Sequence, residues 1–288
     1  MRKLSVLLFL FFTFTAFKSD KPAYHFFNSK GKAVKYKKVL SAAAKADVVF
    51  FGEEHNDPIC HWMELELTKD LYKTKDGKII LGAEMFEHDN QLILDEYLKG
   101  EVSRANFNQE AKLWPNYKTD YQPLVNFALD HHLEFIATNI PRRYAAMVYR
   151  KGFGILDSLT AEAKSYMAPL PIPYDPNLKG YKDMLLQMGG MMEHGSPNLP
   201  KAQAVKDATM AWFIAKYAGK GDLFIHFNGA YHSDNFQGII WYLNKYKPGL
   251  KIMTISSVEQ KDVDSLSKVN LNKADFILAV PDDMTKTY

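Results

Sequence analysis

Two histidines of the chain stand just beyond short apolar segments, each three positions after a glycine. The first Gly-x-x-His motif, residues 52–55, follows the apolar run 48–51, and the second, residues 229–232, follows the run 223–227. Imidazole binds divalent metals in its neutral form and exchanges protons near neutral pH. The two motifs therefore indicate metal ligation or acid–base catalysis.

Carboxylates accompany both histidines. Glu53 and Glu54 lie inside the first motif, and Glu84 ends a third apolar run. Carboxylates serve as metal ligands and as general bases. Two alternatives follow for one cleft. In the first, His55, Glu84 and His232 hold a divalent metal. In the second, the same three residues activate water directly, and in both Glu53 or Glu54 is the general base.

These side chains meet only if the apolar runs are strands of one parallel sheet, whose carboxyl ends open on a common crevice. The runs are continuously apolar, as are strands that are buried on both faces. A further strand, residues 133–138, leads to Asn139, and Arg142 follows in the first turn of a helix, placed to bind a carboxylate or phosphate. The sequence thus predicts an α/β fold with a mainly parallel β-sheet flanked by helices.

A block of helical pattern interrupts the alternation of strands and helices. We expect an α/β core domain formed by residues 23–155 and 219–288, with a small all-helical subdomain, residues 156–218, inserted between them. The block is rich in side chains that ligate haem iron or pack on flat apolar ligands. These are Tyr174, Tyr181, Met188, Met191 and His194. Haem binding and ordinary core packing are the two alternatives.

Residues 1–19 have the pattern of a secretory signal peptide. A basic start is followed by an apolar stretch over residues 4–17 and a polar exit. That stretch is shorter than the ~20 apolar residues of a membrane span, although an uncleaved anchor is the alternative. The sole cysteine, Cys60, lies far beyond it. We therefore expect export to the periplasm or cell envelope, and not as a lipoprotein.

The balance of charge argues against binding to nucleic acid. The chain has 36 Lys and Arg against 33 Asp and Glu. Loss of residues 1–18 removes three basic side chains and no acidic one, which leaves 33 of each. A chain with this balance has no overall basic surface for phosphates, and its single cysteine excludes an intramolecular disulfide.

Five segments form an ordered set over about residues 45–260. They are residues 52–57, 82–87, 139–142, 202–211 and 229–232. Their motif residues are Gly52, Asn139, Arg142, Gln203, Asp207 and Gly229. The ordered set resembles the Tiki/TraB/erythromycin-esterase superfamily and is most similar to its ChaN-like haem-binding uptake proteins.

The resemblance implies a cell-envelope protein that binds haem for iron acquisition, in association with haem-uptake machinery. It also implies a homodimer that encloses haem, and an iron ligand from a tyrosine of the helical subdomain. Tyr181 is the first candidate, with His194 as its companion and Tyr174 in reserve. In this picture Met188 and Met191 pack on the porphyrin.

Enzymes of the wider superfamily imply a different function. They include metal-dependent proteases and ester hydrolases, in which the paired Gly-x-x-His motifs and Glu84 would form the active site. A chain that carries both a haem site and a hydrolytic site is a third reading. One departure from ChaN-like relatives is the missing lipid-attachment cysteine.

Overall fold

The computed structural model describes residues 21–189 and 196–288. Within these residues no helix combines the length and the apolar character needed to cross a membrane. In chain order the elements are β1 (His25–Asn28), β2 (Ala33–Val34), α1 (Tyr36–Ala43), β3 (Val48–Glu53), α2 (Pro58–Thr74), β4 (Ile79–Glu87), α3 (Gln91–Leu98), α4 (Arg104–Glu110), α5 (Gln122–Asp130), β5 (Phe135–Asn139), α6 (Arg142–Lys151), α7 (Ala161–Ser165), α8 (Lys179–Gly189), α9 (Leu199–Tyr217), β6 (Leu223–Gly229), α10 (Ile239–Tyr246), β7 (Ile252–Gln260) and β8 (Phe276–Pro281).

The strands pair into one sheet in the order β2-β1-β8-β7-β3-β6-β4-β5. The six strands from β8 to β5 pair with one another in parallel. The short strands β1 and β2 complete one edge in antiparallel pairing. Parallel neighbours need long crossover connections, and helices supply most of them. The predicted α/β fold with a mainly parallel sheet is confirmed.

The strands bury both faces, because their side chains alternate between two hydrophobic clusters. Val49 and Phe51 point into the cluster that includes residues of α1 to α5. Their neighbours Val48 and Phe50 point into the cluster that includes residues of α6 to α10. All four side chains are fully buried. This explains why the strands read as unbroken apolar runs rather than as alternating patterns.

The block of residues 156–218 is helical in α7, α8 and α9, as its pattern predicts. Helix α9 packs on β5, α6 and α10. Its buried residues share a cluster with strand residues such as Phe50 and Phe224. The division into a core domain and an inserted subdomain stays a prediction. The consequence for the site is that α9 lies against the sheet, near the carboxyl ends of its strands.

Candidate functional site

The two Gly-x-x-His motifs interlock, because β3 and β6 are parallel neighbours in which Glu53 pairs with Gly229. A Cβ atom on Gly52 would lie 2.8 Å from the Cα atom of Ala230. A Cβ atom on Gly229 would lie 2.6 Å from Nε2 of His55. Each glycine therefore makes room for a residue of the other motif.

Glu84 lies inside β4 rather than at its end, since the strand continues to Glu87. The pairing of β4 with β5 shifts register between Ala83 and Glu87, and irregularities of this kind redirect side chains. Oε2 of Glu84 accepts a hydrogen bond of 2.9 Å from the amide of Gly229. Oε1 lies 3.1 Å from Nε2 of His232. The carboxylate thus reaches the second motif.

Asp207 of α9 extends this chain of contacts on the other side of His232. Its Oδ1 lies 2.5 Å from Nδ1 of His232, and its Oδ2 accepts a hydrogen bond of 2.7 Å from the hydroxyl of Tyr181. Burial alone would lower the pKa of His232, but the carboxylates of Glu84 and Asp207 outweigh it and raise the pKa to about 9. His232 is therefore an imidazolium at neutral pH.

The charge on His232 in turn stabilises the charge on Glu84. Burial opposes ionisation of Glu84, yet the nearby His232 and His55 hold the pKa of this carboxyl well below its usual range. The result is a buried ion pair at the base of the cleft, with both partners fixed by further hydrogen bonds. Clustered, strongly shifted groups of this kind are characteristic of functional sites.

His55 is the more accessible of the two motif histidines. Its Nδ1 lies 2.7 Å from Oε1 of Glu53, and its ring packs edge-on against Trp114 at a centroid distance of 5.0 Å. Burial lowers the pKa of His55, but the charges of Glu53 and Glu84 raise it further than burial lowers it. The same Oε1 of Glu53 accepts a hydrogen bond of 2.6 Å from Tyr121.

Glu54 titrates close to neutral pH. Burial and the nearby charge of Glu259 raise its pKa to about 7, against the opposing charges of Lys273 and Lys286. A carboxyl group with a pKa near the working pH is suited to general acid–base catalysis. Its neighbour in the motif, Glu53, stays ionised with a pKa of about 2, since His55 and His61 outweigh the effect of burial.

These groups line one cleft of about 550 Å³. The predicted residues that border it are Glu53, Glu54, His55, Glu84, Gln203, Gly229 and His232. Met184 of α8, Lys206 of α9 and Tyr231 complete a wall on the helical side. The amide of Gln203 lies 2.9 Å from Nε2 of His232. The sequence analysis predicts two separate sites, one at the strand-end motifs and one on the tyrosine- and methionine-rich helices. In the structure the two regions lie next to each other.

Two predicted motif residues lie beside the cleft rather than in it. Asn139 is buried and donates a hydrogen bond of 2.9 Å from Nδ2 to the backbone carbonyl of Glu84, so it positions β4. Arg142 is exposed and borders a smaller pocket of about 180 Å³, together with Gln203 and Lys206. The arginine is thus available at the rim to an acidic group.

The two candidate tyrosines stack on each other, with ring centroids 5.6 Å apart. Tyr181 is 3 % exposed, and burial together with the charge of Asp207 raises its pKa well above the ordinary value. Tyr174 is half-buried, and its hydroxyl has no hydrogen-bond partner among the residues that the structure describes. The two phenols therefore differ in availability.

Helix α8 leaves apolar side chains exposed. Leu185 is 42 % exposed and Leu186 is 76 % exposed, next to Met184, which lines the cleft. The three remaining haem-binding predictions on this segment cannot be placed: the side chain of Met188 and the whole of Met191 and His194 lie outside the described residues.

His61 is a site residue that the sequence did not identify, since its position six residues after His55 indicates the surface or a supporting role. It is buried, and its Nε2 lies 3.0 Å from the carbonyl of His55. The sequence feature that could have identified His61 is its spacing of three positions from Glu64, which puts both side chains on one face of α2.

No sequence motif identifies Tyr121 either, although its hydroxyl donates a hydrogen bond to Glu53. Among the described residues, one group of three histidine and carboxylate side chains could hold a metal ion. It consists of Glu53, His61 and Glu64, whose ligand atoms all lie within 4.8 Å of one another. The predicted metal set of His55, Glu84 and His232 is not that group, and it stays a prediction.

Comparison with known proteins gives a consistent fold and family. The family described as haem-binding uptake, Tiki superfamily, ChaN matches residues 39–243. A structure of cofacial haem binding to ChaN of Campylobacter jejuni is 17 % identical, with a TM-score of 0.67, and the alignment covers 88 % of this chain and 96 % of that chain. At this identity the likeness shows the fold.

Two further structures are more distant. A Bacillus cereus protein is 13 % identical with a TM-score of 0.49, over 85 % of this chain and 90 % of that chain. An erythromycin esterase in its open conformation is 10 % identical with a TM-score of 0.44, over 85 % of this chain and 78 % of that chain. No protein of curated function matches the sequence significantly.

Proposed function

Because this chain belongs to the ChaN family of haem-binding uptake proteins in the Tiki superfamily, we propose that it is an exported haem-binding protein that serves iron acquisition at the cell envelope. The matched residues 39–243 include most of the residues that line the cleft, the two stacked tyrosines and α8. Haem is then the cargo of the protein, and its ferric iron takes an oxygen ligand from a tyrosine.

The exposed apolar face of α8 is the observation that carries this proposal. Leu185 and Leu186 present apolar surface to solvent on the same helix whose Met184 forms part of the cleft wall. Exposed apolar surface on a helix indicates a binding site, and methionine packs adaptably on flat ligands. The two exposed leucines fit one face of a porphyrin, and Arg142 at the rim fits an acidic substituent.

Tyr174 is the better iron ligand of the two stacked tyrosines. A phenol must lose its proton to bind ferric iron, and the hydroxyl of Tyr181 instead donates that proton to Asp207. Tyr181 would have to break this hydrogen bond and leave a buried position. Tyr174 is half-buried and has a free hydroxyl within the described part of the chain. The proposal therefore assigns the iron to Tyr174.

A haem titration of the chain of residues 20–288, followed by absorbance, tests this assignment with a matched pair of variants. We expect saturable binding with a high-spin ferric spectrum, retained in Tyr181→Phe and lost in Tyr174→Phe. Loss only in Tyr181→Phe would return the ligand to Tyr181, and retention in both would exclude both tyrosines. An unsaturable wild-type titration would overturn haem binding itself.

Export and assembly are further parts of the proposal. Cleavage near residue 19 would release a chain without its apolar leader, and the homodimer implied by family resemblance would enclose haem between two copies of α8. N-terminal sequencing of the protein from a periplasmic fraction checks export. Light scattering with and without haem checks assembly, and a monomer in both states would contradict the dimer.

A second candidate function, ester or peptide hydrolysis, is favoured by Glu54. This carboxyl borders the cleft and has a pKa of about 7, beside the charged pair of Glu84 and His232. Such a group accepts a proton from water near neutral pH. A screen of ester and peptide substrates should then show activity that rises through pH 7 and falls at least about tenfold in Glu54→Gln. Activity equal in wild type and variant would exclude this role.

A further inference from the structure

We propose that Glu53, His61 and Glu64 form a buried site for one divalent transition-metal ion, beneath the cleft and separate from the haem-binding surface. Glu53 ends β3, and the other two residues lie one turn apart on the inner face of α2. All three are buried, with exposed fractions of 4 %, 6 % and 0 % in that order. Their donor atoms lie within 4.8 Å of one another.

Two carboxylate oxygens of this group have no partner. Oε1 of Glu53 accepts hydrogen bonds from Tyr121 and His55, but Oε2 of the same carboxylate and Oε1 of Glu64 are buried without a hydrogen bond among the described residues. Burying polar oxygens without partners is costly, and native proteins satisfy nearly all of them with protein, water or ions. Burial and the charge of Glu53 raise the pKa of Glu64 well above its usual range, so these two oxygens require either a shared proton or a cation between them.

The imidazole of His61 is arranged to offer a lone pair to the same point. Its Nε2 lies 3.0 Å from the carbonyl oxygen of His55, which can only accept, so Nε2 carries the proton. Its Nδ1 then faces the carboxylates, 3.1 Å from Oε2 of Glu64 and 3.7 Å from Oε2 of Glu53. Metal-binding histidines characteristically donate the second N–H to a carbonyl or carboxylate.

Charge and donor chemistry decide the class of ion. Burial alone would lower the pKa of His61, but without an ion the carboxylates of Glu64 and Glu53 raise it to about 10. The ion therefore has to displace a proton from Nδ1, as metals do when they bind histidine. Two carboxylates and the imidazole that is then neutral carry two negative charges, which one divalent cation neutralises. A mixed set of nitrogen and oxygen donors suits Zn²⁺, Mn²⁺ or Fe²⁺ better than the all-oxygen ligation preferred by Ca²⁺ and Mg²⁺. The competing occupant is a proton shared between Glu53 and Glu64, which would need no metal.

An ion at this position would hold Glu53, and through it His55, in a fixed orientation in the cleft. Glu53 would bind the ion through Oε2 while Oε1 holds Nδ1 of His55 at 2.7 Å. The ion would therefore fix the orientation of His55 without touching a ligand in the cleft. This is a positioning role, which distinguishes the site from the predicted metal set of His55, Glu84 and His232.

The test is a Zn²⁺ titration of the metal-free chain of residues 20–288 by calorimetry, without haem. We expect about one equivalent per chain, a rise in the thermal midpoint with Zn²⁺, and at least about tenfold weaker binding in the isosteric variant Glu64→Gln. The matched control is His232→Gln, which should keep the wild-type affinity. Unweakened binding in Glu64→Gln, or binding lost only in His232→Gln, would overturn the proposal.

A measurement on the wild-type chain keeps the test independent of how the variants fold. Crystals grown with Zn²⁺ should give an anomalous difference peak between Glu53, His61 and Glu64. A peak elsewhere, or no stoichiometric metal in solution, would leave the shared proton as the occupant. Neither result bears on haem binding, because the titration contains none.

Discussion

Gly229 is the residue on which the interlocking of the two motifs depends most directly. Its hydrogen atom occupies the place where any side chain would meet the ring of His55. Its amide also holds Glu84, so one position serves both the histidine and the carboxylate. The glycine is needed for close approach rather than for an unusual backbone angle.

We expect Gly229→Ala to lower the free energy of unfolding by about 1 kcal/mol, the lower end of the cost of overpacking, because the methyl group meets the tip of a partly exposed side chain. The new methyl group would lie 2.6 Å from Nε2 of His55, so the ring has to shift away from it. Urea denaturation measures the change. Gly154→Ala is the control, since nothing lies within 4 Å of its Cβ position and its φ is not positive. Equal stability of both variants would contradict the close-approach argument.

At the residue scale the sequence predicts which side chains meet but not what they bind. The strand-end rule predicts the meeting of His55, Glu84 and His232, because parallel strands place their carboxyl ends together. It cannot predict the partners of Asp207 or Tyr121, which come from other elements and follow no local motif. Such contacts depend on how helices pack over the sheet, and many sequences permit the same packing.

At the scale of elements, α2 is the helix that aims His61 and Glu64 under the cleft. Asp57 begins it, with Oδ1 accepting from the amides of Ile59 and Cys60. Capping by aspartate satisfies amides that have no partner within the helix. Pro58 at the first helical position adds a preset backbone angle. The start of this helix is therefore fixed directly after the first motif.

Asp57→Ala should cost about 1–2 kcal/mol of stability, the upper part of the range for N-caps, because the side chain is fully buried. Ser103→Ala, which removes the exposed cap of α4, is the matched control and should cost about 0.5–1 kcal/mol. Thermal unfolding of the two variants gives the comparison. A smaller loss in Asp57→Ala than in Ser103→Ala would show that the cap of α2 is not what holds it.

Element boundaries show how local signals succeed and fail. The spacing of Ile59, Met63, Leu67 and Leu71 is typical of a helix and predicts one over residues 57–73. The structure has a helix over Pro58–Thr74, because apolar spacing is a local signal. The apolar run that the sequence pattern ends at Glu84 is longer in the structure, where β4 continues to Glu87. The continuation depends on an irregular pairing with β5, which is a property of two strands and not of either alone.

At the scale of the whole molecule, the cleft depends on the order of strands in the sheet. The central strand β3 has β6 on one side and β7 on the other, so distant parts of the chain bring their ends together. The sequence predicts a parallel sheet from its alternating elements. It does not encode the strand order locally, and hence it could not show that α9 would bring Asp207 to His232.

The buried ion pairs make global stability depend on pH. The pKa of His232 is about 9 in the folded chain and near 6.5 in the unfolded chain, so between these values the folded state binds more protons. Stability from this group is full below pH 6.5 and is lost as pH rises through 9, with a slope of at most about 1.4 kcal/mol per pH unit. His61, with a pKa of about 10, adds a dependence of the same sign at higher pH.

Urea denaturation at intervals from pH 7 to 9 isolates the contribution of His232 when wild type and His232→Gln are compared. The wild-type free energy of unfolding should fall with rising pH, and the variant should show a shallower fall over the same interval, because glutamine does not titrate. Glu84 contributes nothing to this slope, since its lowered pKa keeps it ionised throughout. Parallel curves for the two proteins would mean that the pair of His232 with Glu84 and Asp207 is not what binds the extra proton.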